Sequence, residues 1–460
     1  MFQVSVAYYA NTVNPFIPEL WSRETLALLT ENMIATNLVH RDFENEVATY
    51  GQTVNTRRPK DLRAIRKTKT DTVTVQDTDA DSVQVKLDQH LHTSFQIYDL
   101  ERALTMDDLI ELYMGPAAIA LARASDKVIL GQYPQFINDN QFSGKLNGIT
   151  TANIKDMILD NRQVLDESKC PESGRNQILS PKTEADVLRP EWFTSADKVG
   201  DRGTALREAS IGQKLGFDFY KSLNMANVLP QPTIVTGAIN NSSGYPVGAT
   251  ALTVDGFTGL VGVNSWLTIN GLPYRVHSQA ATSGDTTTIT IRNGLKKAVA
   301  DNDAVVVFTP GQVNNASGYA TGWDKPIIYD TFTVTPKVGQ MVTFAVTSGS
   351  PVYTIIEVDS VNLTITLDRA LEETLADNAK INIGPDGAFN LAFHKNAITF
   401  VNRPLPLAKA GALSSVSNYR GISLRSTITY NGSTQAHLVT LDMLCGVKVL
   451  DTDLGSVLLG

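Results

Sequence analysis

Residues 288–308, TITIRNGLKKAVADNDAVVVF, align without a gap to residues 364–384, TITLDRALEETLADNAKINIG. Thr288, Ile289, Thr290, Leu295, Ala300, Asp301 and Asn302 recur as Thr364, Ile365, Thr366, Leu371, Ala376, Asp377 and Asn378. Val305 and Val307 recur as Ile381 and Ile383. Upstream, Val261–Gly262 matches Val338–Gly339, and Pro273 lies near the place of Pro351. Self-similarity of this kind means one supersecondary unit built twice, here with a length of about 75 residues. The apolar alternation has period two, and Thr, Val, Gly, Asn and Ser dominate residues 233–384, so the unit is a β-module. One difference stands out: Lys296–Lys297 occupy the places of Glu372–Glu373. Opposite charges at equivalent places fit pairing between modules or between subunits, worth about 0–1 kcal/mol per exposed pair. They fit unrelated, solvated charges equally well.

The longest helical signal is Leu104–Gln132, LTMDDLIELYMGPAAIALARASDKVILGQ. Thr105 can cap its start, and Asp107, Asp108 and Glu111 place negative charge on the positive end of the helix dipole. Apolar residues from Leu109 to Ile129 recur at helical spacing. Pro116 removes a backbone donor, which predicts a kink near Gly115 or two helices in sequence. At 1.5 Å per residue the stretch spans roughly 43 Å, the length of a strut.

Composition bounds the function classes. With 42% apolar and 19% charged residues the chain is a folded protein, and 460 residues allow two to four domains. A net charge of −8 argues against general attraction to nucleic acid. Two cysteines, Cys170 and Cys445, form no disulfide framework and no zinc spacing, which points to a reducing compartment. No signal peptide pattern and no apolar run of bilayer length is read, so no membrane partner is expected.

Taken in order, residues 1–45 form an N-terminal arm with an amphipathic helix from about Pro18 to Asn37. Residues 46–100 carry strand-like pieces at Thr53–Arg58, Thr72–Val75, Val83–Leu87 and Thr93–Tyr98. Their first half is too poor in apolar residues for a core of its own, and an isolated two-stranded arm is marginal in water. Within it Arg57, Arg58, Lys60, Arg63, Arg66, Lys67 and Lys69 crowd together, with Asp61 opposing. A solvated loop face, nucleic-acid binding and pairing with an acidic surface of another subunit are the three readings. The second lacks interleaved aromatics. The third has a candidate surface in Asp99, Glu101, Asp107, Asp108 and Glu111. Residues 148–231 read as an α/β unit: a helix from Thr151 to about Asp166, a strand at Gln177–Leu179, a helix capped by Ser180 and a strand at Gly216–Tyr220. Residues 385–460 return to strands at Ala397–Val401, Ile422–Tyr430 and the apolar His437–Leu450, which carries Cys445 as core.

Catalytic patterns are not found, and no catalytic residue, cofactor or metal site is assigned. Asp77, Asp79 and Asp81 imitate the start of a calcium loop, but Ser82 and Asp88 stand where Gly and Glu belong. His90 and His92 share one face of a strand, more simply as surface or packing residues than as ligands.

The order of these parts resembles the major capsid (coat) protein of tailed bacteriophages, with its Hong Kong ninety-seven-like α+β fold, in the short-tailed-phage branch that carries an inserted β-domain. The stretches that carry the resemblance are DDLIELYMGPAAIALARASDKVIL, FHKNAITFVNRPLPLA and LDMLCGVKVLDTDLGSVLLG. It implies an N-terminal arm at 1–45, an extended loop at 46–100 and a peripheral domain with its spine helix at 101–147. An axial domain at 148–232, an inserted β-domain at 233–384 with repeats at about 245–309 and 330–384, and a return at 385–460 complete it. It further implies self-assembly into hexamers and pentamers of an icosahedral head around double-stranded DNA, bound without sequence specificity. A scaffolding protein, a portal protein and, as a further candidate, a decoration protein would be partners. Assembly would take place in the bacterial host cytoplasm, and the final location would be the virion. The runner-up is a carbohydrate-binding or adhesive surface protein built on the β-modules. That would call for aromatic platforms, whereas Trp266, Tyr274 and Trp323 are scattered.

Overall fold

The computed structural model describes residues 25–30, 32–41, 53–58, 64–73, 75–76, 81–98, 113–194, 211–229, 235–257, 261–279, 286–308, 310–330, 332, 335–346, 350–409, 412–419 and 421–460. The chain divides into two units. The smaller is Met1–Asn32, His90–Arg123 and Asn402–Leu444; the larger is Met33–Gln89, Ala124–Val401 and Cys445–Gly460.

The larger unit is organised on a mixed sheet. Its strands lie in the order Phe142–Gly144, Gly455–Leu459, Gly387–His394, Arg175–Leu179, Phe217–Lys221 and Gln213–Lys214. Gly455–Leu459 and Arg175–Leu179 flank Gly387–His394 antiparallel, and each has a parallel neighbour on its other side. Gly387–His394 and Gly455–Leu459 are buried along almost their whole length, as strands covered on both faces are. The helix Ile154–Glu167 lays Ile154, Met157, Ile158 and Leu165 on this sheet, against Leu179, Phe217 and Leu458. It starts three residues later than Thr151, because Asn153 Oδ1 accepts Thr150 N at 2.8 Å and ties the preceding residues into a turn. Ser180 Oγ accepts Thr183 N at 3.3 Å, and Pro181 opens the helix Pro181–Leu188, where its missing N–H costs nothing.

Between Val228 and Gly387, which are paired neighbours in this sheet, the chain builds two closed six-stranded barrels. The first runs from Val235–Ile239 to Ala304–Val307, the second from Gly311–Val313 to Lys380–Ile383. Both have the same strand order, and in each the first strand closes the ring by pairing with the last. Closure leaves no edge strand exposed. Alternation explains the cores: Leu252, Val254, Ile289, Ile291, Val305 and Val307 point inward in the first barrel. Tyr329, Phe344, Tyr353, Ile365 and Ile381 do so in the second. The barrels begin earlier than 245 and 330, since closure needs a first strand that the alignment of 288–308 with 364–384 does not cover.

The AD-N turns carry the same bonds twice. Asp301 Oδ1 accepts Asn241 N at 2.9 Å, and Asp377 Oδ1 accepts Asn315 N at 3.0 Å. Tyr245 and Tyr319 hydroxyls accept Thr253 N and Ile328 N, each at 2.9 Å.

In the smaller unit Leu413–Tyr419, Ile422–Asn431 and the first part of Ala436–Val449 form an antiparallel meander. Asp442, 3% exposed, receives Arg425 Nε at 2.9 Å, Arg425 Nη2, and His90 Nε2 at 3.1 Å. Phe95 stacks on Tyr113 with ring centroids 5.5 Å apart.

Of the expected strut, residues 104–112, with the Thr105 cap, lie outside the described residues. A π-helical turn at Tyr113–Met114 precedes the helix Gly115–Leu130, at the place where Pro116 predicts a break. The helix ends at Leu130, short of Gln132: Gly131 N bonds Lys127 O at 2.8 Å, and a separate helix Tyr133–Asn138 starts with Pro134 near its first position. Thr72–Val75 is not a strand among its described residues; it lies in the link between Thr53–Arg58 and Asp81–Lys86, which pair with each other.

Within the larger unit Asp126 caps the short helix Ala35–Leu38. Its carboxylate accepts Ile34 N at 3.0 Å, Thr36 N at 3.3 Å and Thr36 Oγ1 at 3.2 Å. Burial raises this carboxyl to about 6, with the donors pulling the other way. A carboxyl raised above its unfolded value binds its proton more tightly when folded, so stability falls as pH rises from about 4 to 6. By linkage the loss is about 3 kcal/mol. In urea titrations at pH 4 and 6.5, Asp126→Asn should flatten that difference relative to the parent chain; an unchanged difference would rule Asp126 out as its source.

Candidate functional site

The basic arm is a two-stranded sheet in register from Thr53↔Lys86 to Arg58↔Asp81. Its base is held where Val85 and Leu87 are buried and where Gly446 lies against the Lys86 carbonyl, so close that a Cβ would stand 2.1 Å away. Beyond the paired strands the described link is open to solvent. Ile65, Val73 and Val75 are 55%, 75% and 90% exposed, and Arg66, Lys67 and Lys69 are exposed too. One turn orders it locally: Asp71 accepts Thr68 N at 3.0 Å and Thr68 Oγ1, and these donors hold its carboxyl below the ordinary value. Arg57 and Arg58 lie on the first strand, opposite Ser82 and Asp81. Lys60, Arg63, Asp107, Asp108 and Glu111 lie outside the described residues.

Sequence reasoning missed a second feature, the way both barrels grip the helix Tyr133–Asn138 and the residues that flank it, from Gly131 to Phe142. From the first barrel, Asn293 Nδ2 donates to Asn138 O at 2.5 Å and Arg275 Nη1 to Asn138 Oδ1 at 3.1 Å. Lys296 Nζ reaches Phe142 O at 2.5 Å and lies 4.5 Å from the Phe142 ring centroid. Burial lowers this ammonium to about 8. From the second barrel, Thr354 Oγ1 donates to Gly131 O at 2.5 Å, and Asp368 accepts Gln132 Nε2 at 2.8 Å. Gly339 O accepts the Tyr133 hydroxyl at 2.7 Å.

Asp368 is fully buried and bonded by Arg369 Nη1 at 3.0 Å and Thr354 N at 2.7 Å. Arg369 Nε bonds Glu372 Oε1 at 2.9 Å, and Lys448 Nζ stands 3.8 Å from the same oxygen. Burial would raise the Glu372 carboxyl, but Arg369 and Lys448 outweigh it and hold it low. Lys296 and Glu372, opposite in sign, therefore do not pair with each other. Lys296 reaches Phe142 outside its barrel, whereas Glu372 bonds Arg369 within its own barrel and faces Lys448 outside it at 3.8 Å. The signal that could have extended the repeat is NNSSGY at 240–245 against NNASGY at 314–319.

His90 meets Asp442, His92 is exposed, and Asp88 accepts Ala370 N at 3.2 Å. Asp77 and Asp79 lie outside the described residues. Among the described residues no group of three His, Cys, Asp or Glu is arranged to hold a metal, and no helix is long and apolar enough to cross a membrane. Cys170 and Cys445 are buried, and burial raises both thiols. Trp266 and Tyr274 are buried; Trp323 is 37% exposed.

No family model and no curated protein matches the sequence. Solved phage structures are similar to it at low identity. A structure from Mycobacterium phage Che8 is 13% identical, with 92% of this chain and 90% of that chain covered and a TM-score of 0.45. The capsid structure of the cyanophage P-SCSP1u is 12% identical over 89% and 84% of the two chains, with a TM-score of 0.42. The capsid structure of Staphylococcus phage Andhra is 8% identical over 92% and 86%, with a TM-score of 0.39.

Proposed function

We propose that this chain is the major capsid subunit of a tailed phage, with a Hong Kong ninety-seven-like fold and the two barrels as its inserted β-domain. The observation that carries the reading is the arm: a two-stranded sheet whose link leaves Val73 and Val75 in water and presents Arg66, Lys67 and Lys69. A lone ribbon of this kind gains little from its own contacts, whereas a neighbouring copy can supply the surface it lacks. Closed symmetry then multiplies a weak contact over every subunit, so closure stabilises the shell.

On this reading hexamers and pentamers enclose double-stranded DNA, with a scaffolding protein, a portal protein and, in some heads, a decoration protein as partners. The mature location is the virion, after assembly in the host cytoplasm. The net charge of −8 fits a shell that holds DNA without gripping its sequence. Electron microscopy of the purified chain, alone and with candidate scaffold, is expected to show uniform closed shells or tubes. A monodisperse monomer under both conditions would overturn the proposal.

A further inference from the structure

Where the first barrel meets the helix Tyr133–Asn138, a cavity of about 10 Å³ is lined by Arg275, Trp266, Arg292 and Asn140, among others. Trp266 and Arg275 are direct cross-strand neighbours in the hairpin turned by Asn270–Gly271, so their side chains share a face. Both are buried, at 1% and 4% exposure. Three of the bonds to the Arg275 guanidinium are made: Nη1 to Asn138 Oδ1, and Nη2 to Asn264 Oδ1 at 2.8 Å and to Ser350 O at 2.5 Å. Among the described residues no acceptor reaches Arg275 Nε or Trp266 Nε1. Two unmatched buried donors beside one cavity are unusual, because native interiors pair nearly all such groups.

We infer that this cavity is a binding site for one small anion, chloride being the one that fits, held by Arg275 Nε and Trp266 Nε1 with Arg292 at its rim. The volume is that of a single water-sized body, which excludes phosphate, sulfate and carboxylate-bearing ligands. A water would bring two hydrogens that need acceptors of their own. The Asn138 and Tyr274 oxygens at hand already take one donor each: Asn138 Oδ1 from Arg275, Asn138 O from Asn293, and the Tyr274 hydroxyl from Lys296 N at 3.2 Å. A chloride needs donors alone, and two guanidinium groups supply the field. Against it stands Glu373, whose charge acts on Arg275 from the second barrel. Arg292 is exposed, so an ion can reach the site from water and the small excess in its radius is taken up there.

The test uses the purified full-length chain in thermal melts at fixed ionic strength, with sodium gluconate replaced stepwise by sodium chloride. The midpoint should rise by about 1–3 °C per tenfold increase in chloride once the site fills. Arg292→Gln, at an exposed position, should move the chloride response to several-fold higher concentration. Glu373→Gln should move it lower, and Trp266→Phe should shrink it. Crystals grown in bromide should show an anomalous peak within hydrogen-bond reach of Arg275 Nε and Trp266 Nε1. A midpoint indifferent to chloride, a response that none of these variants changes, or a water without anomalous signal at that point would each overturn the inference.

Discussion

Reversing Arg57, Arg58 and Lys60 to Glu should abolish closed shells while leaving the subunit folded. Among the described residues the strand that holds Arg57 and Arg58 pairs with one partner only, and the described link beyond it is exposed. Little of the subunit's own stability is therefore at stake. Each exposed ion pair is worth about 0.2–1 kcal/mol, so losing three attractions and gaining three repulsions costs about 1–6 kcal/mol per contact. A change of 1.4 kcal/mol is tenfold in an equilibrium constant, and the loss recurs at every copy of the contact in a closed shell. Arg58→Glu also sets a second acid opposite Asp81, which weakens the hairpin by about 0.2–1 kcal/mol. Reversing Arg66, Lys67 and Lys69, which lie outside any strand, separates the two effects. Circular dichroism follows the fold and sedimentation with microscopy the shells. Full shell yield from both triple variants would remove the basic arm as a subunit contact.

How far the sequence reveals this architecture depends on the scale of the signal. Period-two runs such as TITI at 288–291 become barrel strands with Ile289 and Ile291 inside, since alternation and burial are one fact seen twice. The Ser180 cap is legible because its chemistry is local. Thr72–Val75 alternates just as well yet has no strand partner among the described residues, and alternation alone names none. The starts of the two barrels escaped because the closing strands VTGAI and GQV share almost nothing, and because NNSSGY and NNASGY are two residues out of step with the downstream alignment. Asp368, Arg369, Arg275 and Trp266 are the least legible. A buried ion pair and a surface one have the same letters, and the approach of Gly131 and Gln132, a long way off in sequence, helps to bury Asp368.

That approach makes Arg369→Ala the most damaging single change expected in the larger unit. Arg369 bonds Asp368 and Glu372, donates Nη2 to Val352 O at 2.8 Å and stacks 4.6 Å from the Tyr353 ring centroid. Its removal strands the Asp368 carboxylate, fully buried, with Gln132 Nε2 and Thr354 N as its remaining donors among the described residues. Breaking a buried pair from one side costs about 3–5 kcal/mol, because the other charge is left without compensation. The double variant Asp368→Asn/Arg369→Met should lose much less. The first barrel has Asn293 at the place of Arg369, and Asn293 Nδ2 holds Asn138 O, so a neutral side chain can serve at that position. The single variant should also show a stronger pH dependence than the parent chain. Burial already raises the Asp368 carboxyl, and without the guanidinium it rises further. Stability then falls as pH climbs above the unfolded carboxyl value near 4, and mild acid partly rescues the variant. Urea midpoints of the parent chain, the single and the double variant at pH 5 and 7.5 decide it. A loss below about 1 kcal/mol with no rescue in acid would mean that Asp368 finds water or another donor, and that the second barrel is held by its hydrogen bonds to Gly131 and Tyr133 instead.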